Sequence, residues 1–207
     1  TSITVGVPGV GDMKLNQGGS GTGIQRMDDM SPTVWEEADG AGLAIGATKI
    51  MGTSAGATIQ VENISVMPDG VAAVFAYSPD SDGSSSSSDK TTGGDSGTLG
   101  SGWDLTLTAT EDFHTVSGLT VYGGISQVDQ YQEASGINGD SSENVFGAKY
   151  ATGGFTVGFQ VSDDDTGNAT TNTKYENTSY SITFNVNDDL SIGYAHIESD
   201  KSSTTNV

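Results

Sequence analysis

Apolar and polar residues alternate with period two over much of the chain. In the run 154–161, Phe155, Val157, Phe159 and Val161 share one side, while Thr156, Gly158 and Gln160 share the other. That is the pattern of a β-strand with one apolar face. Tyr180, Ile182, Phe184 and Val186 repeat it, as do Leu190, Ile192 and Tyr194. Trp103, Leu105 and Leu107 alternate with Asp104, Thr106 and Thr108; Leu119 and Val121 continue the series. Phe146, Ala148 and Tyr150 do the same, and so do Val71, Ala73, Phe75 and Tyr77. Turn signals such as Met67-Pro68-Asp69-Gly70 and Asn187-Asp188-Asp189 separate these runs. The expectation is an all-β antiparallel meander of about nine strands.

The connections add a second regularity. Short turns at 67–70, 111–117, 152–153 and 187–189 alternate with long polar segments at 78–101, 127–143 and 162–174. A soluble sandwich has no reason to keep its long loops at one end, whereas an outer-membrane barrel has short periplasmic turns and long external loops. The segment 8–56 is different again, being far too long for an ordinary connection. Ser31-Pro32 reads as an N-cap followed by a first-turn proline, which predicts a short helix over 32–38. Leu43, Ile45 and Ala47 fit either a tenth strand over 42–50 or the packed tail of the loop.

Composition sharpens this picture. Apolar residues make up 33% of the 207, too few for a large dry core, which suits strands with a polar, wet side. There are 27 acids against 7 bases. A nucleic-acid partner is not expected, because phosphate binding needs clustered Lys and Arg. With no cysteine, a disulfide scaffold and Cys-based chemistry are excluded. Trp103, Tyr77, Tyr150, Tyr175 and Tyr194 sit near strand ends, as interfacial aromatic girdles do.

At this point the chain resembles the Gram-negative general porins. The strand Ile3 to Val7 and the following segment with Asp28, Asp29, Pro32-Thr33, Trp35, Glu36 and Glu37 are similar to the strand and inward-folding third loop of that family. Gly147-Ala148-Lys149-Tyr150 with Gly154-Phe155-Thr156-Val157-Gly158 resembles a porin hairpin, and Leu190-Ser191-Ile192-Gly193-Tyr194 resembles its turn-then-strand unit. The resemblance implies a transmembrane antiparallel β-barrel domain in the Gram-negative outer membrane. The chain would supply nine or ten of roughly 16 strands, without the first and last ones. Residues 1–207 would be part of that single domain. The segment 8–56 would be the inward constriction loop, and 78–101, 127–143 and 162–174 external loops. It further implies a homotrimer in the lipid bilayer, with no cofactor and no enzymatic activity, that lets small hydrophilic solutes and ions diffuse. Asp28, Asp29, Glu36, Glu37 and Asp39 would line the constriction, and Glu62, Asp104 and Lys149 would face the lumen. Acidic linings favour cations.

Two readings from other classes compete. A secreted acidic β-protein binding Ca²⁺ would use the oxygens of Asp80-Ser81-Asp82-Gly83 or Asp163-Asp164-Asp165, although EF-hand spacing is absent. A hydrolase would need two carboxylates at fixed separation, or a nucleophile elbow. Nothing fixes such a carboxylate pair, no elbow is present, and His114 and His196 have no partner at triad or metal spacing.

Overall fold

The computed structural model describes residues 2–17, 21–31, 50, 52–53, 57–81, 99–132, 137–167, 171–187 and 189–205. Ten strands run in order of sequence: β1 (Ser2–Val7), β2 (Gly11–Gln17), β3 (Ala57–Glu62), β4 (Val71–Ser78), β5 (Leu99–Ala109), β6 (Leu119–Gln132), β7 (Ile137–Thr152), β8 (Phe155–Asp165), β9 (Thr171–Asn187) and β10 (Leu190–Thr205). Each pairs antiparallel with its sequence neighbours in one sheet, and β1 and β10 are the two edges. The all-β antiparallel meander is therefore present, as an open sheet.

The tenth strand is not the expected one. Gly11–Gln17, placed inside the 8–56 loop by the sequence reading, pairs with β1 and β3. Only Met13 and Leu15 mark its alternation, which is too short a run to stand out. The predicted helix over 32–38 and most of the segment 42–50 lie outside the described residues. Within the 8–56 segment the described helix is a 3-10 helix, Gly23–Met30.

Strands also run further than hydropathy indicated. The expected loops at 127–143 and 162–174 are largely strand: β6 reaches Gln132 before β7 starts at Ile137, and β8 reaches Asp165 before β9 starts at Thr171. In these parts the ladder continues between polar residues. Gln127 Nε2 donates to Asp140 Oδ2 at 2.7 Å, Ser101 Oγ donates to Asp129 Oδ2 at 2.7 Å, and Lys174 pairs with Asp165. Backbone pairing does not require apolar side chains, so alternation stops before the strand does. The connection expected at 78–101 does join β4 to β5, and its residues 82–98 lie outside the described set.

Registers divide the sheet into two faces. One carries Val5, Met13, Ile59, Phe75, Leu107, Val121, Phe146, Phe159, Ile182 and Ile192, and most of these are exposed. The other carries Gln60, Asp104, Thr106, Ser126, Glu143, Gln160, Ser162, Asn177, Ser179 and Ser181, and all of these are buried. Tyr175, assigned to a girdle by sequence, falls on this polar face, with the Lys201 ammonium 5.5 Å from its ring centre.

The apolar band crosses the ladder obliquely. The row of register partners starting at Val61, Phe75, Leu105 and Ile125 continues into Asn144, Asp163, Glu176 and Asp200. The apolar residues of β8 to β10 lie toward the opposite strand ends, at Phe155–Val161, Tyr180–Val186 and Leu190–Tyr194. This is a drift of roughly one residue per strand. With ~3.3 Å rise and ~4.8 Å strand spacing, it tilts the strands by about 35° from the normal to the band.

The β5–β6 connection contains a helical turn, Glu111–His114, ended by Thr115 in the left-handed region at φ 66°. Gly118 N–H donates to the Glu111 carboxylate at 2.7 Å. That bond, then one from the Ser117 side chain, hold the carboxyl below the usual glutamate range. A group depressed on folding stabilises the fold above its unfolded pKa and loses that contribution as pH falls through the folded value. In a carboxyl-resolved NMR titration, the Glu111 midpoint should lie below that of an unstructured glutamate. A midpoint at or above it would contradict the Gly118 contact.

Candidate functional site

Apolar side chains turn inward on the polar face at several described positions, among them Val74, Val128, Tyr122 and Val145. Onto Tyr122 of β6 and Val145 of β7 the 3-10 helix lays Ile24 and Met27, with Ile50 completing the cluster. Two glycines make the seat. Gly147 lies directly beneath the Tyr122 ring, where a β-carbon would collide with the phenol. Gly124 leaves the space that Ile24 fills, since an added β-carbon would sit 3.0 Å from Ile24 Cγ1. The Tyr122 hydroxyl donates to Gln160 Oε1 at 2.8 Å, so the ring is fixed at both ends.

Around this cluster, wall side chains receive backbone donors of the long β2–β3 segment. Gln60 Oε1 on β3 accepts from Gly23 N–H at 3.1 Å. On β5, an Asp104 oxygen accepts from Ile24 N–H at 3.2 Å, and the carboxylate also accepts from Thr53 N–H at 3.2 Å and Thr53 Oγ1 at 2.8 Å. The Ser126 side chain adds a further hydrogen bond to it. Glu143 Oε2 on β7 accepts from Gly52 N–H at 2.9 Å. Ser31 Oγ and Ser181 Oγ lie 3.2 Å apart. Four strands thus hold the segment against one face of the sheet.

The sequence-predicted residues divide accordingly. Glu62, Asp104 and Lys149 share the polar face, but in different states. Asp104 is fully buried, and it accepts from Ile24 and Thr53, so it anchors that part of the segment. Its charge is met by loop N–H and hydroxyl donors, which costs far less than burying it bare. Glu62 pairs with Arg26 of the 3-10 helix at 3.0 Å, both partly exposed, which weakens its expected contribution to a negative field. Lys149 is half-buried between Thr120 and Gly158. Asp28 and Asp29 belong to the 3-10 helix, with side chains outside what is described. Glu36, Glu37 and Asp39 also lie outside the described residues.

Sequence reasoning missed Tyr122, Val145, Gly124 and Gly147. A signal for two of them was present. Val121-Tyr122 and Val145-Phe146 are adjacent apolar pairs inside alternating strands, so one member of each must turn toward the polar side.

Chemically, the arrangement positions a loop. Among the described residues no three His, Cys, Asp or Glu side chains converge as metal ligands. Asp163 and Asp165 point to one face and Asp164 to the other, so that triplet does not converge. No described helix is long and apolar enough to cross a membrane, which says nothing about strands. Comparison with known protein families finds no match, and comparison with curated proteins finds none either.

Proposed function

We propose that this chain belongs to an outer-membrane general porin, a homotrimeric water-filled channel for small hydrophilic solutes and ions. One observation carries the reading: the sheet is apolar on its exposed face and polar on the face where the loop docks. Phe146 is 53% exposed and Ile192 58%, while Gln160 and Ser179 opposite are buried at 5%. In water this is inverted, because a face of exposed Leu, Ile and Phe is costly and prone to association. In a bilayer it is the stable arrangement, with apolar side chains toward lipid and polar ones toward an aqueous lumen. β5 and β8 are each 11 residues long, which is what a tilted strand needs to cross the hydrocarbon core. The oblique band matches the strand tilt of barrels.

The 3-10 helix Gly23–Met30 and residues Gly52–Thr53 lie on the polar face and narrow the channel. The excess of acids biases the interior potential negative, and low-dielectric walls focus that field. The full polypeptide in a planar bilayer, under a KCl gradient, should give stepwise conductance in threes with a reversal potential on the cation side. An anion-side potential would overturn the selectivity. No conductance, from a protein that stays soluble without detergent, would overturn the porin reading.

A further inference from the structure

Asp104 accepts hydrogen bonds from both ends of the long loop. Ile24 stands just after the loop's start and Thr53 just before its return to β3, 29 positions apart in the chain, yet both donate to this one carboxylate. The neighbouring glycines are shaped by it. Gly23 has φ +54° and Gly52 φ +50°, and a β-carbon at either would overlap the Asp104 carboxyl. Side chains larger than hydrogen are therefore excluded twice, by the left-handed backbone and by the carboxylate. Gln60 on β3 and Glu143 on β7 then hold Gly23 and Gly52 from either side.

We propose that Asp104 is the positioning residue of the loop: a clasp that binds Ile24 and Thr53 to β5 and so holds the 3-10 helix over the polar face, where it sets the channel's size limit. The size limit rests on the porin reading; the clasp does not. An aspartate suits the position because it accepts without donating. Its oxygens face N–H and hydroxyl groups from the loop and from Ser126. Alanine removes all of these acceptors. Asparagine keeps one carbonyl oxygen and turns an –NH₂ toward groups that are already donors.

The chain has no cysteine, so a single one reports cleanly. Met27 is buried in the cluster beneath the loop, and M27C should react slowly with a maleimide. In M27C/D104A the labelling rate should rise at least ~10-fold, with M27C/D104N between the two, since a charge-assisted hydrogen bond is worth about that factor or more. Detergent-resistant migration on unheated gels should persist, showing that the sheet survives. In liposome-swelling assays the entry rate of a trisaccharide relative to a monosaccharide should rise at least ~3-fold for D104A, as expected of a wider aperture. Unchanged labelling in both variants would overturn the clasp. Faster labelling with an unchanged sugar ratio would overturn its control of the size limit. If the parent protein passes no sugar at all, the porin reading fails, and labelling alone still decides whether Asp104 holds the loop.

Discussion

Arginine in place of Phe159 or Leu107 should destabilise the membrane-inserted protein by about 2–4 kcal/mol, the cost of a cation near the bilayer midplane on a barrel's lipid side. Both residues lie within the exposed apolar band, with Leu107 between Ala73 and Gly123 and Phe159 between Ala148 and Tyr180. Arginine at Thr156, three positions before Phe159 on β8 but on the polar face, should cost less than about 1 kcal/mol, because there the guanidinium reaches water. Reversible urea unfolding in phospholipid vesicles reads the difference. Equal small effects at all three sites would mean that the apolar face does not meet hydrocarbon.

Tyr122→Ala should cost about 3–5 kcal/mol, the usual price of removing a buried aromatic side chain. Its loss should fall on the loop, not the sheet. Tyr122 supports Ile24 and Met27 from below, while the backbone ladder of β6 to β5 and β7 does not depend on its ring. Amide exchange should therefore quicken at Ile24 and Thr53 and hold steady along β8 and β9. Gly147→Val should act in the same direction, because its side chain must displace the ring that rests there. Tyr122→Phe should cost only about 1 kcal/mol, the net worth of the hydroxyl's bond to Gln160. Uniform loss of protection across all ten strands after Tyr122→Ala would show the ring to be a general core residue.

The strands were legible where alternation was long and apolar. Phe155 to Val161 and Tyr180 to Val186 could be assigned to faces from the sequence, and the registers agree. β2 was not legible, because Met13 and Leu15 alone carry its alternation among Asp12, Lys14 and Asn16. The polar ends of β6 through β9 read as loop for a related reason: their pairing is held by backbone and by side chains such as Gln127 and Asp140, which leave no mark in hydropathy.

The site was legible in part. The sequence placed Asp104 on the polar face, which is a local property of period two. Its burial depends on Ile24 and Thr53, 80 and 51 positions away, and only the fold brings those together. The 3-10 helix had no signature either: Thr22 makes no side-chain cap and the first turn holds no acid. Gly124 and Gly147 looked like ordinary strand glycines until Ile24 and Tyr122 were seen to fill the space they leave.

The most direct test uses the cysteine-free background again. Single cysteines at 155, 156, 157, 158 and 159 of β8, each carrying a fluorophore, are placed in vesicles containing brominated lipid. Quenching should alternate with period two, strong at 155, 157 and 159 and weak at 156 and 158. Uniform or absent quenching across the five positions would contradict a sheet that faces lipid on one side and water on the other.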